Sequence, residues 1–228
     1  MKIIEGLRQI KNKLAPNKVC FRKVMFGIRK GYYLPLNLGF QFRCFIGFYE
    51  IEISRFVKTY VKSGFCCYDV GASSGYYSMA FSKLAAPGRI YSFEADKKYC
   101  NLLENTVNRN KNTKSQISTL NYFVGNIINE NSRLVTIDYL VYERKFRKPD
   151  FIKMDIEGAE YEAFLGARKV LKEFYPRIIV EVHSENLKNS CKILLEEIGY
   201  KVIVVNENNI LPTRGAGYNG WLCCEKLT

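Results

Sequence analysis

The run Phe65 to Gly75, FCCYDVGASSG, constrains the fold of this chain more than any other stretch. Phe65 to Tyr68 is a short apolar segment of the kind that forms a buried strand. It ends abruptly in Asp69-Val70-Gly71-Ala72-Ser73-Ser74-Gly75, after which Tyr76 to Ala86 carries small and apolar residues on one helical face. Strand, glycine loop and helix in that order predict the first crevice of an open α/β sheet, above the carboxyl ends of its strands.

The glycine spacing narrows what that crevice can hold. Gly71 and Gly75 form G-x-x-x-G rather than G-x-G-x-x-G, and no Lys follows to make a phosphate loop. Asp69, placed just before the glycines, would repel a pyrophosphate and hold a cation. S-adenosylmethionine, with its ammonium and sulfonium, suits this acid better than NAD or ATP. Arg89 to Glu94 reads as a second strand ending in an acid, where a carboxylate accepts hydrogen bonds from ribose hydroxyls. The plainer alternative is a tight turn after Asp69 with Glu94 on a solvated strand end.

The rest of the chain alternates. Asp96 to Asn110 has helical spacing, and Gln116 to Phe123 or Val124 reads as a third strand before the Gly125-Asn126 turn. A short helix is expected over Leu134 to Val141, with Thr136 or Asp138 as its cap. In DFIKMDIEGAEYEAFLG, Asp150 to Gly166, a strand over Phe151 to Met154 delivers Asp155 to its end. Glu157 to Glu160 then turns into one helix, Tyr161 to Phe174. Arg177 to Val182 is the next strand, with Glu181 and His183 at its end; Ser184 caps a helix that Gly199 terminates. Tyr200 to Asn206 and Gly220 to Lys226 have no helix between them and should pair antiparallel. Upstream, Phe48 to Lys62 is expected to be helical and Gly31 to Gly47 to form short strands over the core.

At 228 residues the chain fits one domain with an appendage. The division expected is a basic, aromatic N-terminal appendage over 1–47 and a cofactor-binding domain over 48–228. Part of the net charge of +13 is local, because Met1 to Lys30 holds nine Lys or Arg against Glu5 alone. Ile3, Ile4, Leu7, Ile10 and Leu14 recur there at helical spacing, which suits either an anionic membrane surface or docking on the domain. No apolar run is long enough to span a bilayer. Eight cysteines without a C-x-x-C pair, and a single His, speak against structural zinc and for a reducing cytoplasm, with membrane contact at most peripheral.

With these residues in hand, the chain resembles the FkbM family of S-adenosylmethionine-dependent methyltransferases over roughly Gly47 to Tyr200. The resemblance is carried by Tyr49-Glu50, DVGASSGYYS at Asp69 to Ser78, Glu94, TIDYL at Thr136 to Leu140, IKMDIEGAE at Ile152 to Glu160, and VEVH at Val180 to His183. It implies a class I, Rossmann-like α/β fold: a mostly parallel seven-stranded sheet with a C-terminal antiparallel strand and helices on both faces. It also implies methyl transfer to an oxygen, often a hydroxyl of a sugar, glycan, glycolipid or small natural product. By the same resemblance Asp69, Gly71 and Gly75 surround the methionine end of the cofactor, and Ala72, Ser73, Ala95 and Asp155 also line its site. Glu94 would bind the ribose, and Asn126 or its neighbours would face the adenine. Neither Met1 to Phe45 nor the loop containing Arg214 carries a pattern that names the substrate.

An alcohol acceptor needs a base. His183, the one imidazole, has an ordinary pKa near ~6.5 and lies at a strand end. Asp155 competes with it, either taking the proton, orienting the acceptor, or helping Glu181 or His183 hold a divalent cation; a required metal is the less favoured reading. Glu160 suits the positive end of a helix, Glu157 either that role or substrate contact, and Glu50 could reach over the bound ligands. The charge alone would also suit an RNA methyltransferase. Asp155-Ile156-Glu157-Gly158, however, has neither the Pro nor the aromatic residue that grips a flipped base, so nucleic acid is disfavoured. A non-catalytic cofactor-binding module recruited to membranes is the third reading.

Overall fold

The computed structural model describes residues 18–206 and 220–227. The expected basic helix through Leu14 and the Arg214 loop lie outside them. Strands β1 (Val19–Lys23) and β2 (Tyr33–Asn37) form an antiparallel pair, followed by helices α1 (Phe42–Ile46) and α2 (Ile51–Tyr60). The alternating part then runs β3 (Cys66–Val70), α3 (Tyr76–Leu84), β4 (Arg89–Phe93), α4 (Lys97–Arg109) and β5 (Gln116–Leu120). Two-residue strands β6 (Phe123–Val124) and β7 (Leu134–Val135) precede α5 (Ile137–Tyr142) and β8 (Phe151–Met154). Helices α6 (Glu160–Leu165) and α7 (Arg168–Phe174), β9 (Arg177–Val182), α8 (Glu185–Ile198), β10 (Tyr200–Asn206) and β11 (Gly220–Lys226) complete the order.

The main sheet has seven strands in the order β10-β11-β9-β8-β3-β4-β5. β3, β4, β5, β8 and β9 are parallel, and β11 runs antiparallel between β9 and β10. The chain leaves β3 first toward β4 and later returns beside it as β8, which opens a crevice between the carboxyl ends of β3 and β8. Strands buried on both faces explain why FIKM and CCYDV are not polar at every second position. Tyr68, Val70, Ile152, Met154, Ile178 and Val180 pack on one face; Cys67, Phe151, Ile179 and Trp221 pack on the other. By the same alternation Asp69, Lys153 and Glu181 point to the second face, and the register sets Asp69 directly opposite Lys153.

Residues 18–47 pack against the rest of the described chain, and three local expectations further along it are corrected. Ile28 shares a core with Phe56, Val57 and Phe81, and the buried Arg29 lays its guanidinium 3.6 Å from the Tyr76 ring centre and 4.3 Å from that of Tyr77. Asn110, at the end of α4, closes this contact by accepting from the Tyr33 N–H and donating to its carbonyl, both at 2.8 Å. The single helix predicted over Tyr161 to Phe174 breaks at Gly166-Ala167, because Gly166 lies against the Gly125 carbonyl, where a Cβ would come within 2.0 Å. The third strand stops at Leu120, and Leu134 and Val135 pair with Phe123 and Val124 instead of opening a helix. Thr136 caps α5 by accepting from Tyr139 N–H at 3.0 Å. Asp138 instead caps α7, accepting from the Lys169 and Val170 N–H groups. All eight cysteines are free thiols, and among the described residues no helix is long and apolar enough to cross a membrane.

Candidate active site

A cleft of about 1310 Å³ lies over the carboxyl ends of β3, β4, β8 and β9, and Leu36, Phe40, Gln41 and Arg43 wall one side of it. A drug-sized ligand fills roughly 300–1,000 Å³, so the space admits a nucleoside and a second molecule beside it.

Asp69 sits at the floor. Its Oδ2 accepts a hydrogen bond from Ser78 Oγ at 2.6 Å, and Ser78 in turn accepts from Ser92 at 2.9 Å. Burial pushes its carboxyl up to about 6. Oδ1 is buried without a hydrogen-bond partner, which is the demand an ammonium would meet. The Gly71 and Ala72 N–H groups both donate to the Phe93 carbonyl at 2.9 Å, so these residues shape the loop rather than donate to a ligand. Gly71, at φ +82°, leaves space for the Asp155 carbonyl, which would lie 1.7 Å from a Cβ. Gly75, at φ +93°, opens α3 against Leu103.

Glu94 accepts from Ser73 N–H at 2.7 Å with Oε2 and from Asp96 N–H at 2.9 Å with Oε1. Each oxygen keeps a second lone pair for a ribose hydroxyl. Asn121, which sequence reasoning passed over as part of a strand, holds the Glu94 and Ala95 carbonyls through Nδ2 at 2.8 and 2.9 Å. Ala95 lines the cleft; Asn126 does not. Its amide donates to Glu162, and its neighbours Tyr122, Phe123 and Val124 supply that wall.

The charged centre lies on β8 and β9. Lys153 is 2% exposed and its ammonium lies 3.1 Å from Asp155 Oδ2; Asp155 Oδ1 is 3.3 Å from His183 Nε2. Burial alone would raise the Asp155 carboxyl, but the Lys153 ammonium and the His183 contact hold it well below the usual carboxylate range. Burial likewise opposes the charge on Lys153, yet the carboxyls of Asp155, Glu50, Glu181 and Asp69 keep it above its ordinary value. Glu181 is pushed up to about 8 by burial and by the nearby charges of Glu50 and Asp155, and its Oε2 is buried without a partner. The hydrogen bond to Asp155 raises His183 to about 9 against the effect of burial. Lys153 itself was invisible in the sequence reading, being one charge inside an apolar strand.

Around this centre, Glu160 is fully buried and accepts from the Ile156 and Gly158 N–H groups, each at 3.0 Å. It fastens the Asp155–Gly158 turn, a more specific role than balancing a helix dipole. Glu157 sits in the left-handed region at φ +56°, its side chain 85% exposed, with Oε2 3.9 Å from His183 Nε2. Glu50 is buried and accepts from Tyr77 Oη at 2.5 Å. Asp155, Glu181 and His183 each offer a ligand atom within 4.8 Å of the others. A hard divalent cation wants about six oxygens, and the Lys153 ammonium already neutralises Asp155, so this set does not fit one.

The profile of the methyltransferase FkbM domain matches residues 126–202. No curated protein matches the chain. Among solved structures, the fold is similar to an FkbM methyltransferase from Methylobacillus flagellatus KT, at 20% identity and a TM-score of 0.52, over 70% of this chain and 43% of that one. The chain thus spans less than half the length of that relative. It is also similar to an S-adenosylmethionine-dependent O-methyltransferase from Thermotoga maritima (13% identity, TM-score 0.56, 79% of this chain and 66% of that one). An rRNA methylase from Streptococcus thermophilus shares the fold as well (9% identity, TM-score 0.52, 76% and 93%). The open carboxylate of Asp69 and the Glu94 carboxylate at the end of β4 fit S-adenosylmethionine as cofactor. The domain match over residues 126–202 and the sheet order make the chain similar to the FkbM methyltransferases, and its fold is the Rossmann-like one of S-adenosylmethionine-dependent methyltransferases.

Proposed function

We propose that the protein methylates a hydroxyl of a sugar, glycan, glycolipid or related small molecule. The observation that carries this reading is His183 held 3.3 Å from the ionised Asp155 beside Glu181, a proton-accepting set at the cleft. S-adenosylmethionine, when bound, supplies a methyl carbon already activated by its sulfonium. What remains for the chain is to align the acceptor oxygen and remove its proton. His183 takes the acceptor's proton as the methyl bond forms, and Asp155 stabilises the imidazolium formed. A positive charge bound nearby lowers the pKa of His183, which frees the imidazole to act. Glu181, protonated near neutrality, orients the hydroxyl, and the exposed Glu157 contacts neighbouring hydroxyls of the acceptor.

RNA is the weaker reading, because the turn after β8 presents the Glu157 carboxylate where a phosphate backbone would pass. Incubation with radiolabelled methyl donor and separate glycan, lipid and RNA fractions tests the choice. Label is expected in the glycan or glycolipid pool, and label confined to RNA would overturn the proposal. Cofactor binding without label in any pool would favour a non-catalytic module.

Two variants examine the roles. Glu94→Ala should weaken cofactor binding by roughly 10–100-fold, since it removes charge-assisted hydrogen bonds to the ribose. A calorimetric affinity within twofold of the parent would remove Glu94 from the ribose site. His183 is inactive as a base while protonated, so kcat/KM should rise with pH toward about 9, with kcat levelling off at lower pH because the bound cation lowers that pKa. His183→Gln should lower turnover by about 10²–10⁴-fold and flatten that rise, with cofactor affinity little changed. A variant that keeps the pH dependence would exclude His183 as the base.

A further inference from the structure

We propose that the face bearing Met25, Phe26, Phe42, Phe48 and Ile51 docks on an anionic lipid bilayer and turns the mouth of the cleft toward it. These five side chains are each 44–52% exposed. Isolated exposed apolar residues are ordinary, but these are assembled. Met25 N–H donates to the Phe45 carbonyl at 3.0 Å, and Phe48 N–H donates to that of Arg43 at 2.9 Å. The Phe26 carbonyl packs so closely on Gly47 that a Cβ there would lie 2.2 Å from it. The Phe26 and Phe48 rings then stack, 6.5 Å apart and inclined by 14°. Two loops and the start of α2 therefore present one preformed aromatic platform.

The charges around it have one sign. From residue 18 to residue 62 the exposed charged side chains are Lys18, Lys23, Lys30, Arg55, Lys58 and Lys62, and the acids Glu50 and Glu52 are buried and half-buried. Arg55 and Lys58 follow Ile51 by four and seven residues, which places them on the same face of α2. An apolar, aromatic centre with a cationic surround is the complement of an anionic headgroup layer over hydrocarbon. A second copy meeting this face symmetrically would bring the same cations together, which opposes self-pairing. Phe40, more exposed still, continues the apolar surface into the cleft wall beside Gln41 and Arg43. Docking by this face would select acceptors borne on lipids; that consequence rests on the hydroxyl-methylating function, whereas docking itself does not.

Cosedimentation of the full chain with vesicles tests the proposal without any methyl transfer. The protein should bind phosphatidylglycerol–phosphatidylcholine vesicles and largely ignore pure phosphatidylcholine. Phe26→Ala with Phe48→Ala should weaken binding about tenfold or more, and Arg55→Glu with Lys58→Glu by at least ~25-fold. Unaltered thermal unfolding of these surface variants would show that they remain folded. Absence of vesicle binding overturns the proposal. So does undiminished binding by both variants, which would assign the contact to residues 1–17. A dimer that the Phe26/Phe48 variant dissociates would give the face to a second copy, and retention of RNA without vesicles would give it to nucleic acid; either result overturns it. Methyl transfer to a soluble acceptor is scored separately, so loss of docking and loss of the enzymatic function remain distinguishable.

Discussion

Gly71→Ala is expected to lower stability by about 3 kcal/mol or more and to abolish activity, whereas Gly158→Ala costs about 1 kcal/mol. Both glycines have positive φ, +82° and +110°, so both substitutions strain the backbone. They differ in space. A methyl at Gly71 would meet the Asp155 carbonyl oxygen at 1.7 Å, and that atom belongs to the backbone; one at Gly158 meets nothing within 4 Å. Relief at Gly71 requires β3 and β8 to part at the point where Asp155 N–H donates to the Val70 carbonyl at 2.9 Å. The Asp155 carboxylate would move with its backbone away from His183. Urea unfolding of the two variants and the parent measures the comparison. Equal midpoints for Gly71→Ala and Gly158→Ala would refute the steric account.

That contrast also marks what the sequence could reveal. The D-x-G-x-x-x-G stretch located the cleft, because an acid and two glycines at a strand-to-helix turn have few other uses. It did not reveal that Gly71 accommodates a neighbouring strand, since that contact joins residues 84 positions apart. Helix ends were legible wherever a cap is local: Asp96, Thr136 and Ser184 accept from their own first turns, and Gly199 closes α8 in the left-handed region. The break at Gly166 was not, because its cause is the distant Gly125. Asp155, Glu181 and His183 could be found as polar residues at strand ends. Arg29 could not, because the loop that buries it reads as surface and its partners Tyr76 and Tyr77 lie far along the chain.

Lys153→Met should destabilise the protein by about 3–5 kcal/mol at alkaline pH and by clearly less near pH ~5. Methionine roughly preserves the shape of the chain and removes its charge, so the loss reports electrostatics more than packing. Burial penalises the ammonium, but the carboxyls of Asp155, Glu50, Glu181 and Asp69 outweigh that penalty. Without Lys153 those acids lose their common counter-charge, and the folded-state pKa values of Asp155, Glu181 and Asp69 shift upward. An acid raised in this way favours the folded state below its unfolded pKa and loses that contribution as pH rises through its folded pKa. For Asp155 the change is a reversal: the parent carboxylate, held low by the ammonium, contributes stability above its unfolded pKa of about 3.8, and the variant forfeits it. Both effects make the deficit grow with pH. Denaturant unfolding of parent and variant at acidic and alkaline pH measures it. A deficit that does not change with pH would mean that Lys153 acts through packing alone. Adding Asp155→Asn to Lys153→Met supplies the complementary check. With the most exposed of these charges removed as well, the double variant should lose less than the sum of the two single losses, because the two side chains contribute as a pair.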